Sequence, residues 1–291
     1  MSISRQNLSI VIVTFKSEKV IDKCINSISK DIPIIVVENS SNIDFKNYLE
    51  SKYKNVKCFL TNNNLGMGAG NNIGIKLAQT EYVFAINPDT TLEPNTLEEI
   101  FSASKELKDF SILSPISSDA KFPNYGIIKK KKILKNSDIL LEVDYVDGFA
   151  MIFKKKNFKQ DHFFDENIFM YLENDDLCIN VKKNGGLIFI AKKAKINHEG
   201  AKAVDPKFFN EVELSRNWHW IWSKFYFNKK NFGIFKAIRV CILTYISSVL
   251  KFSFYSIIKN NFKKRIYFNR ASGFYNALLG KASWYRPNIK D

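Results

Sequence analysis

Three acids lie within four positions of the segment Phe169–Asn180, which reads Phe-Met-Tyr-Leu-Glu-Asn-Asp-Asp-Leu-Cys-Ile-Asn. On a helix, Glu173 and Asp176 share one face, with Asp175 beside them. Like charges this close repel and raise the pKa of at least one carboxyl. A raised pKa is what a general base near neutral pH requires. Acids also gather in the first turn of any helix because of its dipole, so the segment alone leaves both roles open. A further acid, Asp89, follows Ile86-Asn87-Pro88. A carboxylate there can hold a hard cation, Mg²⁺ or Mn²⁺, shared with substrate phosphates. Asn-Pro-Asp-Thr is also good β-turn chemistry, and taken alone it favours the turn. His198 precedes Glu199-Gly200, whereas His162 and His219 have no motif around them. The run Gly66-Met67-Gly68-Ala69-Gly70 does not have the G-x-G-x-x-G spacing of a dinucleotide site. It reads as a turn into a helix, or as backbone N–H groups that approach a polar ligand. Neither a G-x-S-x-G elbow nor a P-loop is present, which argues against a serine hydrolase or a P-loop kinase.

The elements that must position these residues alternate in type. Leu8–Phe15 is a continuous apolar run rich in β-branched residues, as in a strand buried on both faces. Pro33–Val37, Val56–Leu60 and Tyr82–Ile86 read as further strands. Helical spacing marks Ser17–Ser29, Ile73–Gln79 and Pro94–Leu107, while Glu38–Asp44 is polar and patternless. This alternation predicts an α/β fold with a mostly parallel sheet flanked by helices. Ligands of such sheets bind at the carboxyl ends of the strands. That rule selects Thr14-Phe15, Glu38-Asn39, the Asn64–Asn72 loop and Asn87–Thr90. Beyond residue 115 the rhythm loosens. Ser117–Lys135, with Lys129–Lys132, predicts a loop or hairpin; Tyr145–Phe153, Leu187–Ile190 and Ala194–His198 predict strands; Glu173–Lys183 predicts a helix ended by Gly185-Gly186.

Charge divides the 291 residues unevenly. The formal net charge is +15, yet residues 1–214 hold 29 basic and 28 acidic side chains. Ser215–Asp291 holds 15 Lys or Arg against one acid, together with all four Trp. A catalytic domain over 1–214 and a basic, aromatic, helical appendage over 215–291 follow. The four Cys are dispersed, which argues against a zinc site or a disulfide framework. The longest uncharged apolar stretch of the appendage, Val240–Leu250, is too short to span a bilayer. The first residues lack the basic lead and cleavage site of a secretory signal.

In order, the motifs are Val-Val-Glu-Asn-Ser-Ser, Asn-Asn-Leu-Gly-Met-Gly-Ala-Gly-Asn-Asn-Ile-Gly, Asn-Pro-Asp-Thr, Val-Asp-Gly-Phe-Ala-Met-Ile, Phe-Met-Tyr-Leu-Glu-Asn-Asp-Asp-Leu-Cys and Asn-His-Glu-Gly. The chain over about residues 8–200 resembles family 2 glycosyltransferases of the GT-A (Rossmann-like) fold, in their rhamnosyltransferase-like branch. The resemblance implies a nucleotide-sugar donor (dTDP- or UDP-linked), a divalent cation and inversion at the anomeric carbon. It assigns Thr14, Phe15, Glu38, Asn64, Gly66 and Asn71 to the nucleotide, and Asn87, Asp147 and Gly148 to the donor side. It assigns Asp89 and His198 to the metal, which is Mg²⁺ or Mn²⁺. Many relatives carry Glu-Asp in the acidic motif, with the Asp as base; here the pair is Glu173-Asn174, and an amide accepts no proton. Glu173 is then the first choice for the base and Asp175 the second, with Asp176 holding the loop.

The expected activity is transfer of a sugar, rhamnose by analogy, to a glycan or lipid-linked acceptor in bacterial surface polysaccharide synthesis. The expected place is the cytoplasm, at the inner face of the cell membrane. The competing reading is a nucleic-acid- or membrane-binding protein with an inactive glycosyltransferase-like domain, motivated by the basic tail. A near-neutral front half and the strand-end polar cluster argue against nucleic acid. Amphipathic basic helices lie in the interface of anionic bilayers; the same apolar face could instead pack on the catalytic domain or form a homodimer.

Overall fold

The computed structural model describes residues 2–127, 136–158, 163–200 and 203–289. The four-lysine run and His162 lie outside the described residues. The chain forms two compact units: Met1–Phe164 with Leu177–Asp205, and Asp165–Asp176 with Pro206–Asp291. The division therefore falls before the helix Phe209–Phe232 rather than at residue 214, and the acidic motif belongs with the second unit.

In chain order the first unit contains β1 (Leu8–Thr14), α1 (Ile21–Asn26), β2 (Ile34–Glu38), α2 (Ile43–Lys52), β3 (Val56–Leu60), α3 (Met67–Leu77) and β4 (Tyr82–Ile86). It continues with β5 (Thr90–Leu92), α4 (Thr96–Lys105), β6 (Ile112–Ser117), β7 (Tyr125–Gly126), β8 (Leu140–Glu142), β9 (Tyr145–Val146) and β10 (Ala150–Lys154). Helix α5 (Glu173–Lys183) starts in the second unit and continues in the first, followed by β11 (Ile188–His198). The main sheet runs β3-β2-β1-β4-β10-β6-β11-β5, with β8 also paired to β11, and β7 pairs with β9 separately. From β3 to β4 all pairings are parallel, as the alternating pattern predicts. Beyond β4 the sheet is mixed, because β10 runs antiparallel to both β4 and β6.

The apolar run of β1 is buried on both faces, and its side chains alternate. Leu8, Ile10 and Ile12 join one core with Ile100 and Phe101 of α4. Val11 joins the other with Ile75 of α3 and Leu177, Cys178 and Val181 of α5. Full burial of each such aliphatic chain contributes about 1.5–3 kcal/mol. Helix α3 begins at Met67, six residues before the predicted start, and takes in the glycine run. Gly66 caps it with φ +87°, a left-handed conformation that glycine reaches without strain. A Cβ on Gly70 would stand 2.7 Å from Val13 Cγ1, and one on Gly74 only 2.3 Å from Val11 Cγ1. Part of the glycine signal is thus the close packing of α3 on β1.

The second unit is built on α6 (Phe209–Phe232), α7 (Ile234–Ile257) and α8 (Asn261–Leu278), each packed on the other two. Trp218, Ile221, Trp222 and Phe225 of α6 meet Ala237 and Cys241 of α7 and Phe274 and Ala277 of α8. Helix α7 is long and apolar enough, by length and composition alone, to cross a membrane, although Lys236, Arg239 and Lys251 keep its uncharged run short.

Candidate active site

The β4–β5 connection, Asn87–Thr90, is a tight turn. Both the amide and the hydroxyl of Thr90 donate to the Asn87 carbonyl, at 3.2 and 2.6 Å. The turn presents Asp89, a buried carboxylate. The turn and a carboxylate placed where it could meet a ligand are therefore compatible. Strand β11 runs antiparallel to β5 and sets His198 opposite Thr90. The Glu199 amide then donates to the Asp89 carbonyl at 3.1 Å. This places His198 Nε2 3.3 Å from Asp89 Oδ1. The Phe149 ring stacks on the imidazole with centroids 4.3 Å apart and fixes its plane. Phe149 also accepts the Asn87 amide on its own carbonyl at 2.9 Å. Asp147, two residues earlier, is raised above the usual carboxylate range by burial, with His198 opposing the shift.

The nucleotide-side candidates occupy the ends of β1, β2 and β3. Thr14 pairs with Glu38 in register and is fully buried, its hydroxyl without a hydrogen-bond partner. The Glu38 carboxylate accepts the amides of Ser40 and Asn42, at 3.0 and 2.8 Å, and so holds the turn after β2. Asn64 Oδ1 accepts the Gly66 amide at 3.1 Å, while Asn71 is buried within α3. Two contributors lie within the sequence motifs but received no role of their own there. Asn39 Nδ2 donates to the Gly66 carbonyl at 3.0 Å and ties the β2 end to the α3 cap. Phe149 becomes recognisable only once His198 lies over it.

In the second unit, Tyr171 and Leu172 precede α5 with φ of +70° and +67°. Two successive non-glycine residues in the left-handed region cost roughly 1–3 kcal/mol each. Tyr171 packs edge-on to Trp220, and the Met170 carbonyl accepts the Ser223 hydroxyl at 2.6 Å, so α6 maintains the bend. The bend puts Glu173 at the first turn of α5 with Oε2 buried and unpartnered. Burial, partly countered by its own backbone N–H and reinforced by Asp175, pushes the Glu173 carboxyl up to about 7. Asp176 is engaged differently: its two oxygens accept from Lys230 at 2.6 Å and Asn231 at 2.8 Å. These contacts tie the first turn of α5 to α6.

The sequence-predicted residues thus fall into groups. Thr14, Glu38, Asn64, Gly66 and Asn71 line the parallel half of the sheet in the first unit. Asn87, Asp89, Asp147 and His198 gather at its β4–β5 end, with Phe15 following β1 and Gly148 preceding β10. Glu173, Asp175 and Asp176 belong to the second unit.

The family model described as glycosyl transferase family 2 matches residues 9–160. The chain belongs to that family. It is 25% identical over 226 residues to the low-salt glycan biosynthesis hexosyltransferase Agl10 of Haloferax volcanii, covering 72% of this chain and 69% of that one. It is 27% identical over 207 residues to rhamnosyltransferase WbbL of Escherichia coli, covering 60% and 77%. Among solved structures, the mannosyltransferase PcManGT of Pyrobaculum calidifontis, in complex with GDP-Man and Mn²⁺, superposes with a TM-score of 0.56 at 10% identity. That alignment covers 94% of this chain and 88% of that one. This family 2 glycosyltransferase therefore has the GT-A fold, with a helical C-terminal part.

The donor set at Asp89 fits a divalent cation that is completed by a substrate. Asp89 and His198 supply one carboxylate and one imidazole within contact of each other. Among the described residues no three His, Cys, Asp or Glu side chains converge as a metal site. A cation held here would take its remaining ligands from phosphate oxygens and water, as Mg²⁺ does in nucleotide sites.

Proposed function

We propose that this glycosyltransferase moves a sugar from a nucleotide-diphosphate donor to a hydroxyl of a glycan or lipid-linked acceptor, with inversion. The observation that carries the reading is Glu173, a buried carboxyl raised to about 7, with one oxygen unpartnered. Such a group accepts a proton near neutral pH. Removing the acceptor's proton lets its oxygen attack the anomeric carbon in a single displacement, which inverts that centre and needs no covalent nucleophile. Thr14, Phe15, Glu38, Asn64, Gly66 and Asn71 form the nucleotide side, and Glu38 acts there through the turn it holds. Asn87, Asp147 and Gly148 face the donor sugar. Asp89 and His198 hold Mg²⁺ or Mn²⁺, which when bound offsets charge on the leaving diphosphate. Similarity to WbbL supports rhamnose as the first sugar to test, offered on a dTDP- or UDP-linked donor. The relatives' names, a glycan-biosynthesis hexosyltransferase and a rhamnosyltransferase, support a role in glycan synthesis; we place that role in bacterial surface polysaccharide synthesis at the cytoplasmic face of the membrane.

Thermal shift with a panel of nucleotide sugars, with and without Mn²⁺, tests the reading. The true donor should raise the melting temperature by mass action, adding about 3 kcal/mol of stability at a hundredfold excess over Kd. If no nucleotide sugar shifts the melting temperature or is consumed, the reading fails.

A further inference from the structure

One face of the second unit has no counterpart within it. On α7, Phe235, Leu243, Ile246, Leu250, Phe254 and Ile257 follow one another at helical steps, interrupted only by Arg239. They are exposed: Leu243 by 76%, Leu250 by 66% and Ile257 by 79%. The opposite face of the helix carries the small residues Ala237, Cys241 and Ser248 and is buried. A soluble surface seldom carries so continuous an apolar stripe without a partner.

The charges that α7, α8 and the turn between them carry are all of one sign, although Arg265 is paired with Glu211 of α6 at 3.0 Å. Helices α7 and α8 and the turn between them hold Lys236, Arg239, Lys251, Lys259, Lys263, Lys264, Arg265 and Arg270, and no Asp or Glu. Three of these lysines lie over aromatic rings near the α7–α8 turn: Lys251 over Tyr267, Lys263 over Tyr255 and Lys264 over Phe252. A groove there is lined by Phe252 and Phe268 together with Lys264 and Arg265. Apolar floor and cationic wall suit a phosphate that carries a hydrocarbon chain. A second copy of the same face would bring like charges together; an anionic lipid surface complements them.

We propose that α7 and the start of α8 lie in the plane of an anionic phospholipid bilayer, with the α7 stripe inserted and the lysines at headgroup level. In-plane placement follows from the one-sided packing. Helix α7 is about 36 Å long at about 1.5 Å per residue, enough to cross, but its buried face is committed to α6 and α8. Arg239, inside the stripe, reaches the headgroups by extending its stem. The proposal deepens the membrane-side placement given above, and it is tested without any sugar transfer.

Flotation of the full chain with phosphatidylglycerol-containing vesicles, against pure phosphatidylcholine vesicles, reads it directly. Binding should be at least about tenfold stronger to the anionic vesicles and should fall in high salt, as expected when several basic side chains act near the surface. The variant Leu243→Glu/Leu250→Glu should bind about a hundredfold or more weakly, since two exposed leucines no longer insert. Far-UV circular dichroism should show its helices unchanged. If that variant fails to fold, Lys251→Gln/Lys263→Gln, which keeps the stripe, should remove most of the preference for anionic vesicles. Equal binding to both vesicle types, or protein that resists alkaline carbonate extraction as a spanning helix would, overturns the proposal. A vesicle-inert dimer that Leu243→Glu/Leu250→Glu dissociates also overturns it, and assigns the face to a second copy.

Discussion

Replacing Glu173 by glutamine should make the enzyme inactive and, on the alkaline side, more stable. The carboxyl is raised from an ordinary 4.5 to about 7. At about 1.4 kcal/mol per pKa unit, this amounts to roughly 3 kcal/mol between the protonated and ionised forms. A carboxyl with a raised folded-state pKa stabilises the fold fully below 4.5. That contribution declines as pH rises and is gone once pH has passed through about 7. Above that point the wild-type chain carries a buried carboxylate with an unpartnered oxygen, whereas Glu173→Gln carries a neutral amide of similar shape. The variant should therefore match wild type in acid and exceed it by up to roughly 3 kcal/mol in alkali. Denaturant melts across this pH range measure the difference. In the same protein kcat/KM for sugar transfer should fall by about 10²–10⁴-fold. The wild-type pH profile should lose activity on acidification through about 7, where the base becomes protonated. Wild-type turnover by Glu173→Gln, with loss of activity in Asp175→Asn instead, would refute the assignment. So would an acid limb at the ordinary glutamate value with no alkaline gain in stability.

Asp89→Ala should abolish Mn²⁺-dependent transfer while leaving the melting curve of the first unit in place; transfer at the wild-type rate would remove Asp89 from the metal site. Gly74→Ala places a Cβ 2.3 Å from the stiff side chain of Val11 and should cost about 1–3 kcal/mol, read as a lower melting temperature. His219 is pushed down to about 3 by burial, with Tyr285 O and Ser283 Oγ at its two ring nitrogens. Its stabilising effect is therefore present above the ordinary 6.5 and lost as pH falls towards about 3, so acid should melt the tryptophan-rich helices first, seen in tryptophan fluorescence. Asp176→Asn breaks the contact with Lys230 and should loosen the start of α5, measured as faster amide exchange at 173–177.

Much of the first unit is legible along the chain because its strands are short, apolar and β-branched. Val56–Leu60, Tyr82–Ile86 and the helix Glu173–Lys183 coincide with their predicted bounds. Helix α2 shows no apolar stripe in sequence, and only Phe45 and Leu49 are buried in it. Strand β6 is disguised by Pro115, which ordinarily marks a strand edge. Leu187–Ile190 and Ala194–His198 are one strand, β11, whose pairing with β6 shifts between Ala191 and Lys195. Tyr145–Phe153 is two strands, parted at Asp147–Phe149 by the segment that meets His198.

By itself the sequence determined which side chains are available: a carboxylate after a strand, a late histidine, three clustered acids, and a basic aromatic end. These are matters of composition and local periodicity, which act over a few residues. Only the tertiary structure decided what those groups can do. The β11–β5 pairing brings His198 against Asp89 across more than a hundred residues. Burial raises Glu173 to about 7 while Lys230 and Asn231 occupy its neighbour Asp176. Three helices burying their tryptophans on one another leave the α7 stripe facing outward. Solvent exclusion and long-range pairing set pKa, partner and exposure, and neither is a property of residues close in sequence.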